Sequence, residues 1–439
     1  MLSRLASPRR AAVAATAAIV ATASASVTTT ATVTGGGASS IRRHAAAAAT
    51  LGGTLAAGGR AASAPATASA PAPASALVAA AAALTPTPTV VAATGVPSAA
   101  PAPAPVRLAY THLPAKAPPP GGGDAPLPPV VLLHGLLGAA STYRSLVTRP
   151  DFVPLRRVVS VDLRNHGRSP HVDDGGMGWD VLAADVLRMM DELALPSVAL
   201  VGHSLGGKVA MHMALTAPSR VAALTVVDIA PRAYSLPSPP PPGTGAAPST
   251  AGSPSPFEIV ELLRAIPLDR PTSRATVDAR LAAAGLACPR TRAFVLTNLR
   301  AVPGGTASSR GAGPTYAWRV NLTALAAARR ELSGWVWPPA GTATATAAAA
   351  GDGERGGAIY DGPTLFVRGT DSDYVDEARD GPAIRRAFPR AALVAVRGGH
   401  WLQADSPADF CAVLNPFLED AAAAALTAAA PAAATAAGG

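Results

Sequence analysis

The sequence predicts an α/β fold, in which a mostly parallel β-sheet carries helices on both faces and an inserted helical cap. Short runs of apolar residues that end in turn residues recur along the chain, which is typical of strands buried on both faces. Stretches with apolar residues at helical spacing alternate with these runs. Between 257 and 337 the alternation stops, and helical pieces without a strong strand follow one another, which indicates a cap between two halves of the sheet.

Each half of the predicted core has its own elements. The predicted strands are PVVLLHG (129–135), RVVSVDLR (157–164), SVALVG (197–202), VAALTVVDIAP (221–231), PTLFVRG (363–369) and AALVAVRG (391–398). The predicted helices of the core are 179–195, 205–217 and a final helix near 406–419.

Long low-complexity stretches separate these segments and set the domain boundaries. Ala, Pro, Gly, Ser and Thr dominate them, and such a composition does not build a packed core. The predicted units are a disordered leader at 1–105, a first core part at 106–234, a helical cap at 235–358 with low-complexity insertions at both ends (235–256 and 338–357), a second core part at 359–420, and a disordered Ala-rich tail at 421–439.

The leader has the composition of an organellar transit peptide. Residues 1–105 contain six Arg and no acidic residue, and the first acidic residue of the chain is Asp124. A secretory signal or a membrane span are the alternatives, but residues 11–33 are mostly Ala and Thr and too weakly apolar to predict a stable span. We therefore expect an organellar protein, in a mitochondrion or a chloroplast.

Charge and cysteine content exclude some classes of function. Two thirds of the formal net charge of +9 lies in the leader, and no Lys/Arg cluster with interleaved aromatic residues follows, so nucleic-acid binding is not predicted. Cys288 and Cys411 lack metal-ligand spacing and are expected to be buried thiols, and no metal or other cofactor is predicted. The sequence does not predict an oligomeric state.

A candidate nucleophile lies in VALVGHSLGGKVAMHMAL, residues 198–215. A strand leads into Gly202-His203-Ser204-Leu205-Gly206, and a helix follows. A sharp turn of this kind forces the serine into a strained conformation with its hydroxyl exposed, and the glycines allow the strand and the helix to approach closely. We therefore interpret Ser204 as a nucleophile. The alternative is a tight turn without chemistry.

A serine nucleophile needs N–H donors for the oxyanion that forms on the carbonyl oxygen. Leu205, directly after the serine, supplies one backbone N–H. LLHGLLG (132–138) follows an early strand, and the residue after its His-Gly pair, Leu136, supplies the other. His134 is expected to shape this loop by a hydrogen bond rather than to act as the base.

The general base is predicted after the last strand. VRGGHWLQADSP (396–407) supplies His400 in a Gly-rich turn, where the imidazole can reach the serine. His203 is too close to Ser204 along the chain to approach it correctly. His166 and His171 follow a different strand, and His212 lies within a helix.

The residues alone leave the acid of the triad open. Asp371 and Asp373 follow the penultimate strand, but Ser372 occupies the position between them where the acid is expected. Asp228 ends the strand after the nucleophile helix, at the carboxyl edge of the sheet, and is the alternative.

Several stretches resemble the α/β-hydrolase superfamily and, within it, the group of small esterases that includes abhydrolase-domain protein 11 and the bacterial esterase YbfF. They cover most of residues 129–420 outside the insertions, and they contain three of the four Asn (Asn165, Asn298, Asn321) and one of the two Lys (Lys208). These stretches are PVVLLHGLLG, VDLRNHGRSPH, VGHSLGGKVAM, VVDIAP, LTNL, WRVNL, PTLFVRG and GGHWLQADSPADF.

The resemblance implies an α/β-hydrolase fold with a helical cap. It carries the role of triad acid to Asp228, in VVDIAP, and Ser372 agrees with this assignment, while Asp373 and Asp371 remain the alternatives. It also favours the mitochondrion over the chloroplast.

The expected activity is that of a serine hydrolase that cleaves carboxylic ester or thioester bonds through an acyl-enzyme. Apolar cap residues favour an acyl or lipid-like small-molecule substrate. Acyl transfer or C–C hydrolysis on the same scaffold, or a non-catalytic binding protein, are the alternatives. The cap residues in question are Phe257, Ile259, Val260, Leu263, Phe294, Trp318, Trp335 and Trp337.

Overall fold

A computed structural model describes residues 103–117, 127–173, 176–234, 254–268, 273–302, 315–335 and 357–429. The predicted transit peptide lies outside the described residues, as do most of the two predicted insertions, Trp337 and the last ten residues of the chain. The predicted disorder of these segments stays a prediction.

A mixed sheet forms the centre of the described fold. Its seven strands stand in the order β1-β3-β2-β4-β5-β8-β9, and every neighbouring pair is parallel except β1 with β3. The predicted α/β fold with a mostly parallel sheet is confirmed. The strands are β1 Ala109–Leu113, β2 Val130–Leu133, β3 Val158–Asp162, β4 Val198–His203, β5 Val221–Val227, β8 Thr364–Gly369 and β9 Ala391–Val396.

The helices cover both faces of the sheet. None of those within the described ranges is long and apolar enough to cross a membrane. The core helices are α1 Arg144–Val147, α2 Trp179–Glu192, α3 Leu205–Thr216, α9 Glu377–Ala387, α10 Leu402–Asp405 and α11 Pro407–Ala429. Between β5 and β8 lie α4 Pro256–Ala265, α5 Arg274–Ala283, α6 Pro289–Leu296, α7 Leu322–Ala327 and α8 Arg329–Ser333.

Alternate residues of each inner strand pack on opposite faces of the sheet. Val131 and Leu133 of β2 lie in the hydrophobic cluster that includes α2, α3 and the cap helices. Val130 and Leu132 lie in the cluster that includes α1 and α11. All four side chains are fully buried, which explains why this strand is apolar at every position.

The cap also contains strands, which the sequence analysis did not predict. β6 Leu299–Ala301 pairs antiparallel with β7 Tyr316–Trp318, and Leu299 stands opposite Trp318. The aromatic residues of β7 favour a strand. Only three residues long, each strand was too short to stand out from the helical pieces around it.

The predicted disordered tail at 421–439 is wrong for its first nine residues. Helix α11 runs on to Ala429 instead of ending near 419. Alanine is the strongest helix former, and Ala421 is buried against the cluster that contains Leu418. Residues 421–429 therefore extend a packed helix in spite of their low-complexity composition.

Two further expectations need correction. Cys288 is exposed rather than buried, because it precedes α6 on the surface of the cap, whereas Cys411 is buried as expected. The final helix is also divided, since Ser406 separates α10 from α11. Pro407 begins α11, where its missing N–H costs no intrahelical bond.

Candidate active site

Ser204 lies in the turn between β4 and α3. Its backbone has φ 52° and ψ −116°, in a region that non-glycine residues rarely adopt. The strained turn is held on both sides, because the Ser204 N–H donates to Val227 O at 3.0 Å and the Ser204 carbonyl accepts from the Lys208 N–H at 3.1 Å. The side chain is thereby presented at the carboxyl edge of the sheet.

The glycines around Ser204 are required by close backbone contacts. A Cβ atom on Gly202 would lie 2.3 Å from the Gly206 carbonyl oxygen. A Cβ atom on Gly206 would lie 2.3 Å from the Leu133 carbonyl oxygen, across the neighbouring strand. Both distances are shorter than any real contact, so the spacing of these glycines has the steric cause that the sequence predicts.

Asp228 and His400 are joined by a hydrogen bond. Asp228 follows β5, is fully buried, and accepts the Nδ1–H of His400 at 2.8 Å on Oδ2. Its Oδ1 accepts the Gly369 N–H at 3.0 Å, and the Ser372 hydroxyl also donates to Oδ2. The carboxylate is therefore fixed by three donors, which lie at the end of β8 and in the loops after β8 and β9.

The environment of Asp228 keeps its carboxyl group ionised. Burial acts to raise its pKa, but the hydrogen bond and the charge of His400, with the bonds from Ser372 and Gly369, lower the pKa below its ordinary value. An ionised Asp228 accepts at Nδ1–H and so selects the His400 tautomer whose Nε2 is free to accept a proton.

The two alternative acids do not contact His400. Asp371 and Asp373 are exposed. The Asp371 carboxylate accepts from the Thr370 hydroxyl at 3.0 Å, and Asp373 accepts an Arg379 hydrogen bond through its backbone carbonyl. The structure thus places Asp228 at the histidine and leaves the other two at the surface.

His203 ties the His400 loop to the nucleophile turn. Its Nε2–H donates to the His400 carbonyl oxygen at 2.7 Å, and the two rings lie 4.7 Å apart. Burial, and then the neighbouring His400, lower the pKa of His203 to about 3, so it is a neutral donor. Sequence reasoning only excluded His203 as the base and missed this bridging contact.

Ser204 and His400 share no hydrogen bond within the described residues. In unliganded enzymes the contact between nucleophile and base is often long and tightens when substrate binds. The Tyr374 ring stacks on the His400 ring, with 3.8 Å between centroids and 19° between planes. Nothing in the sequence pattern indicated Tyr374.

Two backbone N–H groups are available beside Ser204. Leu205 is the first residue of α3, where helical N–H groups have no partner within the helix. The Leu136 N–H, in the turn after β2, forms no hydrogen bond to another described residue. This turn lies against the nucleophile, since a Cβ atom on Gly135 would be 3.1 Å from the Ser204 Cβ.

His134 shapes the Leu136 turn, as the sequence predicts. Its Nδ1–H donates to the Gly135 carbonyl at 2.8 Å, and its Nε2 accepts the Leu163 N–H at 3.0 Å. Burial lowers its pKa to about 4. A neutral ring with both nitrogens engaged has no capacity left to act as a base.

The predicted apolar ceiling divides into two groups. Phe257, Ile259, Val260 and Leu263 are buried in the hydrophobic cluster that the cap helices share with α2 and α3. Phe294 of α6 instead lies near the candidate site, with its ring 5.0 Å from that of Trp401, the residue after His400.

Lys208 lies in an aromatic box below the nucleophile turn. Its Nζ is 4.9 Å from the Tyr234 ring centroid, 5.3 Å from that of Trp179 and 5.8 Å from that of Trp335. Burial and the nearby Arg232 charge lower its pKa to about 7. This lysine and Trp335 join the core helix α3 to the end of the cap.

The fold and the serine turn together define an α/β hydrolase. The family model of the alpha/beta hydrolase fold matches residues 128–255, which include Ser204 and Asp228. The chain belongs to this family.

Its relatives are lipases and esterases. The chain is 34% identical to the sn-1-specific diacylglycerol lipase ABHD11 of Mus musculus, over 67% of this chain and 82% of the relative. It is 25% identical to the esterase YbfF of Escherichia coli, over 66% of this chain and 93% of the relative. Among solved structures, a marine microorganism esterase matches with a TM-score of 0.55 and 26% identity, over 71% of this chain and 99% of that structure. The predicted resemblance is confirmed, and the chain is a hydrolase of the esterase and lipase group.

Proposed function

We propose that this protein is a serine hydrolase that cleaves carboxylic ester or thioester bonds of an acyl or lipid-like substrate. Ser204 is the nucleophile, His400 the general base and Asp228 the acid that orients it. The observation that carries the proposal is the hydrogen bond from His400 Nδ1 to the buried Asp228, on a loop that His203 ties to the strained Ser204 turn.

In the first step His400 Nε2 accepts the Ser204 hydroxyl proton while Oγ attacks the carbonyl carbon of the substrate. The carbonyl oxygen becomes an anion, and the Leu136 and Leu205 N–H groups donate to it. His400 then gives its proton to the leaving alcohol or thiol as the carbon–oxygen or carbon–sulfur bond breaks. Ser204 is left acylated.

In the second step His400 removes a proton from water, and the resulting hydroxide attacks the acyl carbon. The oxyanion forms again beside the same two N–H groups. The proton returns from His400 to Ser204 Oγ as the acid is released. Asp228 remains ionised throughout and stabilises the imidazolium form of His400, which is the role that its lowered pKa supports.

The nature of the relatives guides the choice of substrate. The murine relative is described as a diacylglycerol lipase that acts at the sn-1 position. Phe294 and Trp401 provide apolar surface next to His400 in this chain. Both observations favour an acylglycerol or another ester with an acyl chain.

A panel of acyl esters, acyl thioesters and acylglycerols, incubated with the full chain and with its Ser204→Ala variant, tests this proposal. We expect release of free fatty acid by the wild type and none above background by the variant. Equal release by both proteins would contradict the role of Ser204. Formation of a new ester when an alcohol is added, with no free acid, would instead assign the acyltransferase alternative.

We also propose that residues 1–105 direct the chain to an organelle, with the mitochondrion favoured over the chloroplast. The support is the composition of the leader, which combines six Arg with no acidic residue.

A further inference from the structure

Asn298 reaches from the cap into the turn that carries the Leu136 N–H. It follows α6, and its side chain is buried. Its Nδ2 donates to the Leu137 carbonyl oxygen at 2.7 Å, across 161 positions of sequence. The cap therefore contacts the core at the residue next to a proposed oxyanion donor.

Two planar peptide groups connect this contact to the Leu136 N–H. The Leu137 carbonyl shares a peptide plane with the Gly138 N–H, which donates to the Gly135 carbonyl at 2.9 Å. The Gly135 carbonyl lies in the 135–136 peptide plane with the Leu136 N–H, and in a trans peptide these two groups point in opposite directions. A hydrogen bond at Leu137 O thus constrains the direction of the Leu136 N–H.

The turn needs such a constraint because its conformation is strained. Leu137 has φ 62°, in the left-handed region that a leucine adopts only when its surroundings hold it there. From the core side the Leu137 N–H donates to His166 Nε2 at 3.3 Å, a long bond. The shorter of the two bonds to Leu137, from Asn298, comes from the cap. His134 holds the Gly135 carbonyl from the core at 2.8 Å, so the cap and the core both act on this turn.

We infer that Asn298 is a positioning residue for the oxyanion site, which holds the Leu136 N–H in its productive direction through the 137–138 and 135–136 peptide groups. This inference rests on the proposed function, in which the Leu136 N–H binds the oxyanion. On this inference, the packing of the cap on the core is required for transition-state stabilisation and not only for substrate access.

Asn321 provides a matched control. It is a second cap asparagine that bonds to a core loop, through Nδ2 to Asn165 Oδ1 at 3.2 Å, but it does not contact the Leu136 turn. Its side chain also accepts from the Ala324 N–H at the start of α7. Serine can retain this capping role, so Asn321→Ser removes the Nδ2 bonds to Asn165 and, at 2.8 Å, to Asp173 at little cost to the helix. Asn298→Ser removes the bond to the Leu137 carbonyl.

The experiment compares Asn298→Ser and Asn321→Ser in the full chain for kcat, KM and inhibition by a trifluoromethyl ketone with an acyl chain. This inhibitor forms a tetrahedral adduct with a serine nucleophile, and its affinity therefore reports on the oxyanion site. We expect Asn298→Ser to lower kcat about tenfold or more and to weaken the inhibitor by a similar factor, with KM changed less than about twofold. Asn321→Ser should change each quantity less than about threefold.

Equal effects of the two variants, or an Asn298→Ser variant with the kcat and inhibitor affinity of the wild type, would overturn the inference. Asn298→Leu, close in size but without a donor, should lose at least as much activity as Asn298→Ser, and full activity in either variant counts against the inference. Circular dichroism and thermal melting verify that each variant is folded. If the wild type does not bind the inhibitor and the Ser204→Ala variant keeps the activity of the wild type, the proposed function fails instead.

Discussion

His400 donates its Nδ1–H to Asp228 Oδ2 at 2.8 Å although the strands that precede them, β9 and β5, are not neighbours. β8 lies between them. Gly369 at its end donates its N–H and Ser372 in the following loop its hydroxyl to the same carboxylate. In this chain the end of β8 and the loop after it therefore contribute hydrogen-bond donors to the acid and not the acid itself.

This arrangement predicts which carboxylate turnover depends on. Asp228→Asn should lower kcat on the order of 10³–10⁴-fold, because the amide cannot select the His400 tautomer or stabilise its charged form. Asp373→Asn, a matched change at an exposed position in the loop after β8, should leave kcat within about twofold. Steady-state kinetics on one ester substrate distinguish the two, and the opposite ranking would move the acid to Asp373.

The buried Lys208 predicts a dependence of stability on pH. Its pKa is about 7 in the folded protein and near 10.5 in the unfolded chain. Between these values the unfolded chain binds the additional proton, so this group makes the free energy of unfolding rise with pH, by at most about 1.4 kcal/mol per pH unit. Below pH 7 the lysine is charged in both states and contributes no slope.

Urea unfolding of the wild type and of Lys208→Met between pH 7 and pH 9 measures this contribution. The free energy of unfolding of the wild type should rise relative to that of the variant over this range. Lys116→Met is the same change at an exposed lysine whose pKa partial burial also lowers, and it should reduce the slope less than Lys208→Met does. Parallel pH profiles for wild type and Lys208→Met would show that Lys208 stays charged in the folded state.

The close approach of backbone around Ser204 predicts a strong effect of one added methyl group. Gly202→Ala should destabilise the fold by about 3 kcal/mol, because its Cβ would overlap the backbone of Gly206 and Gly207. Gly334→Ala is the control, since its Cβ would meet the nearest atoms at an ordinary 3.4 Å, and it should lie within about 0.5 kcal/mol of the wild type. Chemical denaturation measures both, and a similar stability for the two variants would refute the steric account.

The leader composition predicts the destination of a reporter. A fluorescent protein fused behind residues 1–105 should co-localise with a mitochondrial marker in cells. Replacement of the six Arg by Gln should return the fusion to the cytosol, because transit peptides depend on their positive charge. A cytosolic signal from the unchanged leader would remove the organellar proposal.

The inner strands of the sheet could be predicted because they are buried on both faces and are therefore mostly apolar. β1 was not predicted, because it pairs with β3 alone and its residues are exposed or intermediate in burial. Helix α9 was missed for another reason, since Gly381 and Pro382 interrupt its pattern. Local composition indicates the secondary structure that a residue favours. For β1 and α9, the position at the sheet edge and tertiary packing determined the secondary structure instead.

The candidate site was predictable where chemistry depends on local sequence. The turn around Ser204 requires glycine at fixed spacing, so its pattern is visible in a single chain. The carboxylate partner of His400 has no such local pattern, because the choice between Asp228 and Asp373 depends on which strand ends meet in space. The contacts of His203, Tyr374 and Asn298 depend on loops that are distant in sequence and leave no local pattern.

The most direct test of the central claim is covalent labelling of the full chain with a fluorophosphonate, followed by mass spectrometry of its peptides. The account predicts a single adduct on Ser204, formed in the wild type and absent from Ser204→Ala. The rate of acid release should fall in proportion to the fraction of molecules that carry the adduct. An unlabelled wild type, or an adduct that persists in Ser204→Ala, would contradict the claim that Ser204 is the nucleophile.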